Sequence, residues 1–182
     1  TPALSLRERV NNVWKISRMT QLDALKQFTT AALMQLVEQG KVKLDDDLLT
    51  YLPQYPSRGQ HIPIRRLLDH TSGIRSYTEI AEAPSLFPLT MAKDSIMALF
   101  AGKGFDFSPG EAVVYNNSAY FLVGMIIEKV SGQSYPDYLK ANLFDKAGMP
   151  RSAYCSETEI VKGKVHGYGF SGNLRKAPQQ NH

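Results

Sequence analysis

Residues 14–40, WKISRMTQLDALKQFTTAALMQLVEQG, hold the longest helical pattern in the chain, and their reading decides the fold. Leu22, Leu25, Phe28, Ala32, Leu33 and Leu36 recur at spacings of three and four, the interval that brings side chains onto one helix face. Gly40 follows as a stop, so the spacing predicts a helix from about Thr20 to Gln39. The polar residues Gln21, Lys26, Gln27, Thr30, Gln35 and Glu38 do not gather into one stripe, which predicts a helix wrapped on most sides.

Working outward, Lys41 to Leu44 alternates briefly, and Asp45, Asp46 and Asp47 offer caps for a one-turn helix through Leu48, Leu49 and Tyr51. Pro53 and Pro56 then break the chain. Residues 61–73, HIPIRRLLDHTSG, predict a short helix with Pro63 in its first turn and Gly73 ending it. Residues 74–93 read as a loop-rich rim, followed by a helix over residues 95–100 that Asp94 caps. Residues 107–120, FSPGEAVVYNNSAY, lead into a helix from Ser118 to Val130 that points Phe121, Leu122, Met125, Ile126 and Ile127 inward.

Three stretches together carry a resemblance. Lys26-Gln27-Phe28-Thr29, His70-Thr71-Ser72-Gly73 and Tyr115-Asn116-Asn117 behind Pro109-Gly110 resemble motifs of the serine β-lactamase and penicillin-binding-protein superfamily. The similar branch holds class C β-lactamases, family VIII esterases and D-aminopeptidases. The resemblance spans about residues 10–169, within one helical domain over residues 1–182 whose last stretch, 170–182, reads as a tail. It implies a mainly α chain: the helical domain of the β-lactamase/transpeptidase-like fold, with most of the α/β sheet missing. By the same resemblance Lys26 closes an S-x-x-K motif, Tyr115 exchanges protons beside it, and Asn117 holds the substrate's carbonyl side chain. A tyrosine, with an ordinary pKa of about 10, serves as a base where a nearby ammonium lowers it. His70, Thr71 and Ser72 are read as structural, hydrogen-bonding a turn beneath the site.

The chain departs from the pattern at the nucleophile. Aligned from the left, Arg18 occupies the serine position and five residues, Gln21 to Leu25, are inserted before Lys26; counted back from Lys26, the position is Asp23. Ser17 is the nearest serine, nine residues from Lys26, or roughly 13 Å of axial rise if both lie on one helix.

Composition narrows the classes. The 182 residues, 43% hydrophobic and 21% charged, suffice for a real core. A net charge of +4 with dispersed charges and no recognition motif argues against nucleic-acid binding. Cys155 is the sole cysteine, which excludes an intrachain disulfide and a Cys-built zinc site. His61, His70, His166 and His182 lack ligand spacing, so no metal and no cofactor is expected. No apolar run approaches a membrane span and no signal peptide is read at the start; the resemblance implies a periplasmic or secreted protein.

Two functions follow as expectations. The first is a serine hydrolase of β-lactamase or esterase type, acting feebly if at all on β-lactam, ester or D-amino-acid amide bonds through Lys26, Tyr115 and Ser17, with Asn117 binding a small-molecule acyl substrate. The second is an inactive helical module. The chain stops before the family's third motif, and helices that normally pack on the absent sheet are expected to expose apolar surface covered by a second copy or a complementing chain.

Overall fold

The computed structural model describes residues 21–80, 91–154, 168–170 and 174–176. Six α-helices dominate them: α1 (Gln21–Glu38), α2 (Leu48–Tyr51), α3 (Ile64–Leu68), α4 (Lys93–Ala101), α5 (Asn117–Ser131) and α6 (Tyr135–Leu139). A 3-10 turn at Tyr77–Glu79 and a π turn at Lys140–Phe144 that continues α6 complete the helical part. A short antiparallel hairpin, β1 (Tyr168–Phe170) with β2 (Leu174–Lys176), sets Gly169 opposite Arg175. The mainly helical architecture is as the sequence predicts.

α1 and α5 form the central pair, and α5 packs in turn on α3 and α6. From α1 come Ala32, Leu33 and Leu36, and from α5 Ala119, Leu122, Val123, Ile126 and Ile127, all fully buried. Those α5 residues fall at i, i+3, i+4, i+7 and i+8, the stripe an amphipathic helix turns toward a core. Over positions 25–38 of α1 the exposed side chains are Gln27, Ala31 and Glu38, a narrow strip, so that part of the helix is covered on most sides. Phe100 of α4 is buried among Tyr55, Tyr77 and Phe121, with ring centroids 6.3–6.4 Å away, and Phe28 meets Phe144 edge-on at 5.1 Å. These spacings are those of favourable tilted and edge-to-face aromatic pairs.

Local chemistry fixes the helix ends. Asn116 caps α5, its side chain accepting from Ala119 N at 2.8 Å and donating to the Ile74 carbonyl, and Gly132 closes the helix at φ 70°. Asp47 caps α2 by accepting from Leu49 N at 2.8 Å, and its other oxygen accepts from Ile62 N at 2.9 Å. One carboxylate thereby ties a helix start to the chain entering α3. Burial acts to raise the Asp47 pKa, but the Leu49, Ile62 and His61 contacts outweigh it and hold the value below 3.8. Stability from this cap is therefore complete above the ordinary carboxylate value and lost as pH falls through the lowered one. An Asp47→Ala variant is expected to lose about 1–2 kcal/mol by urea denaturation at neutral pH, and the loss should shrink in acid.

Three helix limits differ from the sequence reading. α3 ends at Leu68 with Asp69 as its C-cap rather than at Gly73, because His70 turns the chain at φ 62°. Pro63 precedes α3 as its N-cap residue instead of lying in its first turn. α4 begins at Lys93 after Ala92, so Asp94 sits inside the first turn and does not cap it. There its charge still complements the positive end of the helix.

Candidate active site

Helix pairing creates the site. α1 carries Lys26 in its second turn, the extended residues before α5 carry Tyr115, and Asn117 opens α5. Packing of α1 on α5 brings the three together: Lys26 Nζ donates to Tyr115 Oη at 2.5 Å and to Asn117 Oδ1 at 2.8 Å. The same nitrogen lies 4.4 Å from the Tyr115 ring centre and 5.5 Å from that of Tyr120, so two π faces add to its fixation. Asn117 is held from its other end, Nδ2 donating to Thr78 Oγ1 at 3.0 Å, and Thr78 in turn pairs with Ser76 Oγ at 2.9 Å.

Below the cluster, Thr29 Oγ1 donates to the Leu25 carbonyl at 2.8 Å and meets Tyr135 Oη at 2.6 Å. Burial pushes Tyr135 up to about 12, partly offset by the Thr29 bond, which keeps that phenol neutral and a hydrogen-bonding group only. A pocket of about 210 Å³ opens between α1 and α5 beside Lys26 and Asn117, walled by Tyr77, Phe121, Met125, Tyr135 and Tyr154. Lys93 and Glu128, which also line it, pair at 2.5 Å. The exposed large hydrophobic residues among the described ones are Val113, Val114 and Tyr115. Exposed apolar surface thus lies beside the site, and the inner faces of α1 and α5 cover each other.

Of the residues singled out in the sequence, Lys26, Tyr115 and Asn117 converge, while Ser17 lies outside the described residues. Sequence reasoning passed over Tyr120, although its place three residues after Asn117 on α5 puts both on one helix face. It also passed over Thr78, which no local pattern marks. Asp23, three residues before Lys26, lies within α1, so its position shares the Lys26 face. Chemically, a 2.5 Å contact between an amine and a phenol allows direct proton exchange, and an amide beside them can bind a carbonyl or amide of a ligand. Among the described residues, no group of three or more His, Cys, Asp or Glu side chains is placed to hold a metal ion. No described helix is long and apolar enough to cross a membrane.

A family model described as Beta-lactamase matches residues 24–182. The chain belongs to the β-lactamase family. Among relatives of this β-lactamase-family chain is PbpX of Bacillus subtilis (strain 168), provisionally assigned as a penicillin-binding protein, 33% identical over 153 residues. That match takes in 84% of this chain and 37% of PbpX, so the chain spans little more than a third of that relative. A D-stereospecific amidohydrolase from Streptomyces superposes with a TM-score of 0.74 at 27% identity, covering 86% of this chain and 51% of that one. The octameric penicillin-binding protein homologue from Pyrococcus abyssi gives 0.69 at 32% identity, covering 85% and 37%. The helical fold described above is thus the helical part of the β-lactamase/transpeptidase-like fold, about half of the amidohydrolase's length.

Proposed function

We propose that this chain carries the proton-transfer and amide-binding limb of a serine acyl-transfer site, and that as it stands it hydrolyses β-lactam, ester or D-amino-acid amide bonds at most feebly. The observation that carries the reading is the Lys26 ammonium shared between Tyr115 Oη and Asn117 Oδ1. Lys26 and Tyr115 are the catalytic pair and Asn117 the substrate-binding amide, with the apolar pocket beside them taking the substrate's side chain. The nucleophile is what limits turnover. Position 23 holds a carboxylate, which has no proton for Lys26 to remove, and the serine nearest in sequence is Ser17. Losing the nucleophile of a unit that acts together costs on the order of 10⁶ in kcat.

A second reading, an inactive module that self-associates, is favoured by the exposed Val113, Val114 and Tyr115, which a second copy would cover. The octameric state of the Pyrococcus abyssi homologue is consistent with it.

One set of measurements separates the readings. Nitrocefin and a p-nitrophenyl ester are expected to turn over at or near the uncatalysed rate, and intact mass after incubation with a fluorescent penicillin is expected to be unchanged. Saturable hydrolysis that Lys26→Ala and Tyr115→Phe both abolish would overturn the feeble-activity reading, and peptide mapping of an adduct would then test Ser17. Sedimentation at high micromolar concentration should give a dimer or larger species under the second reading; a clean monomer eliminates it.

A further inference from the structure

His70 makes contacts that the proposed chemistry does not use. Its carbonyl accepts from Val114 N at 3.0 Å, and its Nδ1 accepts from Asn116 N at 3.2 Å. The two amides flank Tyr115. The ring also packs against Tyr115 and Tyr120, with centroids 5.0 and 5.1 Å away. The backbone adopts φ 62° there, a left-handed turn that a side chain with a β-carbon resists, so the residue is held against its own preference.

We infer that His70 is the positioning residue of this site: its backbone carbonyl holds Val114 and its neutral imidazole holds Asn116, a clamp on both sides of Tyr115, and proton uptake at Nδ1 releases the Asn116 side. An Nδ1 that accepts from a backbone N–H must carry its lone pair, which places the ring proton on Nε2. Once protonated, Nδ1 is itself a donor and faces another donor, so the Asn116 bond is lost. The groups around the ring set when this happens. Lys26 approaches from α1, Tyr115 from the extended residues before α5, Tyr120 from the first turn of α5, and Asp69 from the end of α3, where Arg66 partly engages it at 3.6 Å. Burial first, and the Lys26 charge second, hold the His70 pKa below 6.5 against the opposing pull of Asp69. A histidine with a lowered folded-state value contributes stability that is complete above about 6.5 and is lost as pH falls through the lowered value. The site is therefore organised at neutral pH and loosens in mild acid.

The inference concerns the same residues as the proposed function but does not depend on turnover, because its test reads the ligand-free chain. Hydrogen exchange at the Asn116 amide, corrected for the intrinsic rate, is compared from about pH 7.5 to about pH 4.5, the range in which histidine titrates. In the unmodified chain Asn116 protection is expected to fall roughly five- to tenfold, the worth of one hydrogen bond, while the Leu122 amide in mid-α5 keeps its protection. His70→Asn supplies an oxygen acceptor in place of Nδ1, tolerates the left-handed backbone and cannot titrate, so it should keep Asn116 protected at every pH. His70→Ala should leave Asn116 weakly protected throughout. A pH-independent Asn116 protection in the unmodified chain, or the same fall in His70→Asn, overturns the inference. Should the alanine variant fail to fold, the comparison of histidine with asparagine decides alone.

Discussion

An Asp23→Ser variant is expected to form a covalent adduct with a fluorescent penicillin under conditions where the unmodified chain forms none. The argument is geometric. α1 is already helical at Gln21, so positions 23 and 26 lie one turn apart on the same face, with Cβ atoms roughly 5–6 Å apart. Lys26 is already fixed between Tyr115 Oη and Asn117 Oδ1, which leaves the hydroxyl as the part to supply. When the pair holds one proton fewer than ammonium plus phenol, a serine proton can pass to its basic member as the serine oxygen attacks the lactam carbonyl. The ring nitrogen leaves with a proton from the same pair, and the acyl group stays on the serine as an ester. The position is also in the first turn of the helix, whose unsatisfied N–H groups favour the negative charge that develops nearby.

A positioned base alone is worth about 10²–10⁴ in rate, so adduct formation at least a hundredfold above the unmodified chain is expected, with deacylation slower. Adding Lys26→Ala to the serine variant should return it to background. An Asp23→Ser chain with unchanged circular dichroism and no adduct would show that position 23 is not the nucleophile register and would turn attention to Ser17.

Local pattern revealed α1, α2 and α5: Gly40 after α1 and Asp47 before α2 mark their ends, and α5 shows in its apolar stripe, while its caps Asn116 and Gly132 emerge only in the structure. That Lys26 meets Tyr115 and Asn117, about ninety residues away in sequence, was legible only through the resemblance, since no periodicity carries contact information over that distance. The end of α3 was misread for a physical reason. A glycine is the commonest left-handed stop, but here His70 takes that conformation earlier, supported by the Asn116 and Val114 bonds, and Gly73 is left for another task. Thr78 orients Asn117 from a short 3-10 turn whose sequence, Tyr-Thr-Glu, marks no site. The exposed apolar surface was expected on helix faces because the missing sheet was imagined as their partner. Pairing of α1 with α5 buries the inner faces of both helices, and among the described residues the large hydrophobic side chains that remain exposed are Val113, Val114 and Tyr115, on the extended approach to α5.

Among the described glycines, Gly73→Ala is expected to be the most destabilising alanine substitution, because it combines two costs at one position. The residue sits at φ +69°, which an alanine adopts at about 1–2 kcal/mol. A β-carbon there would also lie 1.9 Å from the Phe107 carbonyl oxygen and 2.9 Å from its carbon, both backbone atoms with no rotamer to swing aside. The two segments must therefore separate, and they are tied together on both sides of the clash: Gly73 O accepts from Asp106 N at 2.8 Å, Thr71 O accepts from Gly110 N at 2.7 Å, and Ile74 bridges to Phe105. Forcing atoms into such a space costs a further 1–3 kcal/mol, for a total of about 2–5 against a usual stability of 5–15 kcal/mol. In a chain of this size that lowers Tm by about 5–20 °C. Gly40→Ala is the control, since it has the same φ of +69° and nothing within 4 Å of the added carbon, so it reads the backbone cost by itself. Equal losses for the two variants would mean that the contact between residues 73 and 107 yields without cost. A much larger loss at Gly73, together with reduced Asn116 amide protection at neutral pH, would establish that this close approach holds the chain that leads into Tyr115.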